Sequence, residues 1–136
     1  MSPSTLSLRR FLYVSELAPA MPSTVVGQIL RQSREHNHRL KLSGALLFDG
    51  ERFCQLLEGE PDTAQALMRR IERDTRHCNV KLLLDTLGAA PRMMTQWRCG
   101  YADHEAFDAI DAAAAGDPEQ AAHTLLKLLP ACDLSN

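Results

Sequence analysis

Residues 42–59 read LSGALLFDGERFCQLLEG, two apolar runs separated by the dipeptide Asp49-Gly50. An Asp-Gly pair between apolar runs is a strong short-range signal for a β-hairpin, because tight hairpin turns need a positive φ that these residues tolerate. The stretch therefore predicts one strand at 42–48 and a second at 51–58. This hairpin places β-structure at the centre of the chain, and the flanking segments are assigned around it.

Strand and helix patterns alternate on either side of the hairpin. A short apolar stretch with β-branched and aromatic residues predicts a strand near 8–16. Ser23 is placed to cap a helix that runs to about Arg39. After the hairpin, Asp62 and Gln65 have capping-box spacing and predict a second helix. The buried stripe of that helix is Ala64, Leu67, Met68, Ile71 and Thr75.

The order of the elements defines the fold class. Two further apolar runs predict strands at 79–87 and 93–101, which completes the order βαββαββ. Two helices on one face of a mixed five-stranded sheet form a ferredoxin-like α/β sandwich. Residues 103–130 predict two more helices that pack on the domain. We therefore divide the chain into a domain at 1–101 and a C-terminal helical extension of the same globule at 102–136.

The composition excludes several classes of protein. The 136 residues carry 15 Lys and Arg against 17 Asp and Glu, a formal charge of −2. This balance argues against a nucleic-acid surface and a polybasic membrane anchor. No apolar run reaches the roughly 18 residues of a transmembrane helix, and residues 1–5 show no secretory signal. The 4 cysteines form no C-x-x-C pair, so reduced thiols and a cytoplasmic location are expected.

Three polar side chains lie on faces that should be apolar: Tyr13 on the first strand, Asn37 on the first helix and Gln55 on the third strand. Helical spacing continues the apolar stripe of the first helix to Asn37, and strand alternation places Gln55 between two apolar neighbours. Buried amides and phenols need hydrogen-bond partners. Either the three groups satisfy one another and nearby backbone, or a polar ligand lies beside the sheet.

Several short motifs occur in an order and spacing that are specific in combination. They are RFLYVS at 10–15, SREHN at 33–37, LSGALLFDG at 42–50, FCQLLEG at 53–59, IERDTRH at 71–77, and Arg92 followed by Trp97. In this order the motifs resemble the BLUF domain, a blue-light sensor that uses FAD. The resemblance covers residues 8 to about 101 and implies a flavin between the two helices that flank the sheet.

The resemblance implies a role for each matching residue. Tyr13 matches the photoactive tyrosine, and Gln55 matches the glutamine between that tyrosine and flavin N5. Both belong to a flavin-binding set with Ser33, His36, Asn37, Arg76, His77 and Trp97. In that set Asn37 bonds the carbonyl and imide edge of the ring, and Arg76 faces the other carbonyl. The resemblance assigns signal relay to Trp97 and Cys99.

The family mechanism starts at Tyr13. Light drives electron and proton transfer from Tyr13 to the flavin, and Gln55 then reorganises its hydrogen bonds, which gives a reversible red-shifted state. The chain departs from the family where Cys99 replaces the usual methionine of the relay and where Met94 replaces an aromatic residue. Neither change touches Tyr13 or Gln55, so the photochemistry is expected to survive.

The resemblance also implies a cofactor and a kind of partner. FAD is expected, with FMN or riboflavin as alternatives in recombinant material, and charge alone points to Arg39 or Lys41 as the group that faces the phosphates. Such a module turns over no substrate. A short stand-alone sensor is expected, because no residues are left for a cyclase or phosphodiesterase domain. Its output would be contact with an unknown downstream protein, and a homodimer is a candidate. The contact surface would be the apolar side of the C-terminal helices or the open face of the sheet.

Other readings stay open from the residues alone. One is a ferredoxin-like regulatory module without flavin, and another is a flavin redox enzyme that uses Cys54 or Cys99. A metal site at residues 36–38 is not expected, because no further acidic or histidine cluster completes it. Glu58 is interpreted as a solvated or capping carboxylate at the end of its strand.

Overall fold

The computed structural model describes residues 8–88 and 91–135. The prediction that residues 1–5 carry no secretory signal falls outside the described residues. Among the residues described, no helix is both long and apolar enough to cross a membrane.

The strands of the described chain form a single 6-stranded sheet. They are β1 (Leu8–Leu17), β2 (Ser43–Phe48), β3 (Arg52–Gly59), β4 (His77–Gly88), β5 (Trp97–Tyr101) and β6 (Asp133–Ser135). Their order is β4-β1-β3-β2-β5-β6. The β2–β5 pair is parallel and the other pairs are antiparallel. All the predicted strands are present in a mixed sheet, which confirms the fold class, and β6 is a short edge strand that the sequence pattern does not predict.

Helices cover both faces of the sheet. They are α1 (Thr24–Arg39), α2 (Pro61–Arg73), α3 (His104–Gly116) and α4 (Pro118–Leu128). The core under α1 and α2 includes Phe11, Val26, Leu30, Leu57 and Met68. The core on the opposite face includes Leu12, Leu56, Phe107, Ile110 and Leu125. The apolar sides of α3 and α4 therefore pack against the second face, and neither surface is the open partner surface that the sequence suggested.

The hairpin at Asp49-Gly50 forms as predicted. Asp49 Oδ1 accepts hydrogen bonds from the backbone N–H groups of Glu51 and Arg52, at 3.0 and 2.6 Å. Gly50 has a φ of 105°, a conformation that glycine adopts without strain. Side-chain alternation along β3 then directs Gln55 toward α1 and α2.

The start of α2 differs from the prediction. Its N-cap is Glu60, whose carboxylate accepts a hydrogen bond from the backbone N–H of Thr63 at 3.0 Å. The capping box that starts at Asp62 is therefore wrong. Pro61 explains the difference, because proline suits the first helical position, where its missing N–H is not needed. Thr75 is exposed and lies beyond the end of α2, so it does not belong to the buried stripe.

A buried carboxylate holds the segment before β5. Glu58 is 0% exposed and accepts hydrogen bonds from Arg10 Nε at 2.8 Å and from the backbone N–H groups of Met93 and Met94 at 2.9 Å. Because these two amides bond to a carboxylate and not to a neighbouring strand, β5 begins at Trp97 and the predicted start at Met93 is wrong. Of the two interpretations of Glu58, the solvated strand-end group is wrong, and its hydrogen bonds to two backbone amides fit the capping carboxylate.

Candidate functional site

A cavity lies between α1 and α2 over the sheet. It holds about 160 Å³ of space for a ligand and is open to solvent at its mouth. The apolar side chains that line it are Ile29, Leu46, Phe53, Leu67 and Ile71. The residues assigned from the sequence that it brings together are Tyr13, Ser33, His36, Asn37, Gln55, Arg76 and His77.

Tyr13 and Gln55 are joined by a hydrogen bond on the sheet side of the cavity. They are register partners on β1 and β3, and the Tyr13 hydroxyl donates to Gln55 Oε1 at 2.5 Å. Burial raises the pKa of the Tyr13 phenol, and the Cys54 thiol and the Asp74 carboxylate raise it further. The hydroxyl therefore keeps its proton at neutral pH and acts as the donor in this pair.

Asn37 is the polar group on the apolar stripe of α1, and it is 1% exposed. Its side-chain oxygen and nitrogen are both buried, and neither has a hydrogen-bond partner within the described residues. A buried polar group left without a partner costs about 1–3 kcal/mol. Asn37 lines the cavity, so a ligand that offers both a donor and an acceptor would remove this cost.

His77 fixes the surroundings of Tyr13. Its Nε2 lies 2.5 Å from the Ile71 carbonyl oxygen, which only accepts, so Nε2 carries the proton. Nδ1 lies 2.8 Å from the Ser15 hydroxyl oxygen. The imidazole packs edge-on against the rings of Tyr13 and Phe53, with centroids 6.2 and 6.3 Å apart. These contacts hold the His77 ring beside the Tyr13–Gln55 pair.

Arg76 lines the cavity as the partner of Asp74. Its Nη2 donates to Asp74 Oδ2 at 2.7 Å and its Nε to Oδ1 at 3.0 Å. Its Nη1 donates to Gln32 Oε1 at 2.9 Å. The hydrogen bond with Arg76 is the main cause that lowers the pKa of Asp74, and the same bond raises the pKa of Arg76. The Arg76 charge is thus matched by a carboxylate inside the site.

Arg70 and Asp74 are cavity residues that the sequence did not single out. Arg70 Nη1 donates to His36 Nε2 at 3.0 Å, a contact that links α2 to α1. Helical spacing could have found Arg70, because residues three apart on a helix share a face and Leu67 belongs to the predicted stripe. Asp74 follows the helix, and its nearness to Arg76 in the chain is the available signal.

Trp97 and Cys99 are packed in the core on the same side of the sheet, but neither lines the cavity. Cys99 belongs to a cross-strand row with Tyr13, Gln55 and Leu46. Leu46 therefore lies between Cys99 and Gln55. The Trp97 Nε1 atom is buried and has no hydrogen-bond partner in the part of the chain described. The structure does not bring Trp97 to the cavity, and its relay role stays a prediction.

The remaining candidates lie away from the cavity. Lys41 lines a separate groove that also includes Trp97, and Arg39 lines neither space. The choice of these two residues from charge alone is therefore not supported. Cys54 belongs to the core on the opposite face of the sheet, and burial raises the pKa of its thiol to about 12. A redox reaction at Cys54 would lack both a thiolate and access to the cavity.

The residues present fit a flavin. Its ring has flat apolar faces, which suit the apolar lining, and an edge that carries both hydrogen-bond donors and acceptors. Side-chain amides supply both kinds of group, and the cavity is lined by Asn37 and Gln55. Such an edge would supply the hydrogen-bond partners that the Asn37 amide lacks among the described residues.

Residues 8–100 match the family model described as BLUF, sensors of blue-light using FAD. The chain is 31% identical over 101 residues to the blue light- and temperature-regulated antirepressor BluF of Escherichia coli (strain K12), covering 74% of this chain and 24% of the relative. It is 31% identical over 74 residues to the photoactivated adenylate cyclase subunit beta of Euglena longa, covering 54% of this chain and 9% of the relative. The chain thus spans a quarter or less of these curated relatives.

A solved structure agrees with the family match. The dark-state structure of BlrB, a BLUF protein, superimposes with a TM-score of 0.65 at 28% identity. The match covers 87% of this chain and 92% of that chain. The similarity therefore includes residues beyond the 8–100 region of the family model.

Proposed function

This chain belongs to the BLUF family of flavin-binding blue-light sensors, and we propose that it binds FAD noncovalently between α1 and α2 and responds to blue light through Tyr13 and Gln55. The observation that carries this proposal is the Tyr13–Gln55 hydrogen bond in a cavity that also contains the unpartnered amide of Asn37. FAD follows from the family description, and FMN and riboflavin carry the same ring.

Asn37 is proposed to hold the ring. Its amide is fixed by α1, is fully enclosed and has no competing partner among the described residues. A ring carbonyl and a ring N–H can satisfy the amide nitrogen and oxygen together. The apolar side chains Ile29 and Leu67 line the same cavity from the two helices and would exclude water from the faces of the ring.

A bound flavin supplies the chromophore and, once excited by blue light, an acceptor for an electron. Tyr13 is the proposed donor, because its buried phenol keeps its proton in the dark. Loss of an electron would make the phenol strongly acidic, so its proton would move along the hydrogen bond toward Gln55. Return of the electron and the proton to Tyr13 would restore the phenol, so nothing would be consumed. Gln55 would be left with its amide donor and acceptor rearranged, by rotation or by tautomerisation.

The cross-strand row through Gln55 suggests how the change leaves the site. Gln55 pairs with Leu46, and Leu46 pairs with Cys99 on β5. A shift of the Gln55 amide would be felt first by Leu46 and then at β5, which is one strand from the described edge of the sheet. We propose that β5 passes the signal to a downstream protein.

The test is an absorption spectrum of the purified protein with FAD, in darkness and after blue light. We expect a flavin spectrum that shifts to longer wavelength and recovers in the dark. Asn37→Ala should retain less flavin, whereas Gln28→Ala, which removes an exposed amide from the same helix, should retain as much as the wild type. A protein that retains no FAD, or a spectrum that bleaches instead of shifting, would contradict the proposal.

A further inference from the structure

The cavity holds a cation that no carboxylate matches. Among the described residues that line it, the arginines are Arg70 and Arg76. Arg76 is paired with Asp74 through two of its nitrogens. Arg70 is exposed, and its hydrogen-bond partner within the described residues is the His36 imidazole at 3.0 Å. The charge of Arg76 is therefore neutralised by a carboxylate, whereas the charge of Arg70 is not.

The contact with Arg70 requires a neutral His36. A guanidinium has only donors, so His36 Nε2 must accept and cannot carry a proton. Burial lowers the pKa of His36, and the positive charges of Arg70 and Arg39 lower it further. Because a neutral imidazole brings no negative charge, the full positive charge of Arg70 stays at the cavity.

The residues that line the cavity range from buried at one end to exposed at the other. Tyr13, Asn37 and Gln55 are each at most 3% exposed, whereas Arg70 is exposed. A ligand whose ring is held by the buried amides must keep any phosphate at the exposed end, because burying an uncompensated anion is very costly. Arg70 is the unmatched cation at that end, and a guanidinium can bind a phosphate through two parallel hydrogen bonds.

We propose that Arg70 binds the phosphate-bearing tail of the flavin nucleotide and makes the chain prefer FAD and FMN to riboflavin. This inference rests on the proposed function, since it assumes that the ring of the same ligand occupies the cavity. Nη1 faces His36, and the other donors of the guanidinium are available to the phosphate. Arg70 thus takes the role that charge alone assigned to Arg39 or Lys41.

The test compares three single substitutions in the full chain: Arg70→Ala, Arg69→Ala and Arg39→Ala. Each flavin-free protein is titrated with FAD, FMN and riboflavin, and binding is followed by flavin fluorescence. Arg70→Ala should weaken FAD and FMN by about fivefold or more, the effect of a charge-assisted hydrogen bond at an exposed site, and leave riboflavin unchanged. Arg69→Ala, at the neighbouring exposed position, should leave all three affinities unchanged.

Salt gives a second readout that a change in folding would not produce. Binding of FAD to the wild type should weaken as sodium chloride is raised, because salt screens exposed charges. The Arg70→Ala protein should respond less to salt, and Arg70→Lys should restore part of the response.

Several results would overturn the assignment. If Arg70→Ala weakens riboflavin binding as much as FAD binding, the substitution acts on the ring site or on the fold. If it does not weaken FAD binding, Arg70 is not part of the site. A selective loss of FAD and FMN affinity in Arg39→Ala alone would place the phosphate contact on α1. Wild-type protein that binds riboflavin as tightly as FAD would refute the Arg70 assignment alone. Failure of the wild type to bind any of the three flavins would refute the proposed function as well.

Discussion

Neighbouring arginines on β1 offer a direct measurement of what burial does to an ion pair. Arg10 pairs with Glu58 at 2.8 Å, with side-chain exposures of 7% and 0%. Arg9 pairs with Asp85 at 2.9 Å, with exposures of 21% and 36%. Both pairs join a guanidinium to a carboxylate at nearly the same distance. Substituting the acid of each pair by its amide, as Glu58→Gln and Asp85→Asn, therefore compares a buried carboxylate and all its hydrogen bonds with an exposed one.

The expected losses of unfolding free energy differ because the two carboxylates accept different sets of hydrogen bonds. Glu58 compensates the Arg10 charge and also accepts from the backbone N–H groups of Met93 and Met94. Glutamine keeps one acceptor oxygen and turns an NH₂ group toward these donors. Breaking a buried pair from one side costs about 3–5 kcal/mol. Breaking an exposed pair such as Arg9–Asp85 costs about 0–1 kcal/mol.

The assay is equilibrium unfolding in urea at neutral pH, with all proteins free of flavin. For a slope of about 2 kcal/mol per molar urea, the Glu58→Gln midpoint should fall by about 2 M and the Asp85→Asn midpoint by less than about 0.5 M. High salt should reduce only the small effect at Asp85, because exposed pairs are screened. Equal losses in the two variants, or a Glu58→Gln loss below about 1 kcal/mol, would refute the reasoning that Glu58 is a buried structural charge.

Three further substitutions test the site and the sheet. Gln55→Leu should keep the flavin but abolish the light-induced red shift, which absorption spectra would show; a normal shift would remove Gln55 from the proposed switch. Asp74 has a pKa lowered from 3.8, mainly by its hydrogen bond with Arg76. Its contribution to stability is therefore complete above about pH 3.8 and is lost as the pH falls through the lower folded-state value. In urea unfolding, the free energy of unfolding of Asp74→Asn should depend less on pH in that range than that of the wild type. The same pH dependence in both proteins would contradict this. Gly44 has a φ of 138°, and a Cβ there would overlap the Leu56 carbonyl oxygen, so Gly44→Ala should lose at least about 3 kcal/mol of unfolding free energy in the same assay. A loss below 1 kcal/mol would show that the strand relaxes.

The features that the sequence predicts well are those that local periodicity determines. Asp49-Gly50 specifies its hairpin within a few residues, and strand alternation is enough to direct Gln55 toward α1 and α2. Helical spacing in the same way brings Asn37 to the buried side of α1. These short-range rules place the polar groups of the cavity, so a ligand beside the sheet could be expected before any contact was known.

The features that the sequence did not predict depend on segments far apart in the chain. The Arg70–His36 contact joins residues 34 positions apart and requires the final spacing of α1 and α2. The role of Glu58 depends on backbone amides 35 and 36 positions away. A periodic pattern in the sequence does not indicate which distant residues come into contact. The same reason explains the late start of β5, because its first predicted residues bond to Glu58 instead of a strand.

The most direct test of the central claim uses the tyrosines of the chain, of which there are 2. Tyr13 is buried and bonded to Gln55, whereas Tyr101 is 46% exposed at the end of β5. The light-induced absorption shift is measured for Tyr13→Phe and Tyr101→Phe, each loaded with FAD. Tyr13→Phe should bind FAD without any reversible red shift, and Tyr101→Phe should shift as the wild type does. A full reversible shift in Tyr13→Phe would contradict the assignment of Tyr13 as the photoactive residue.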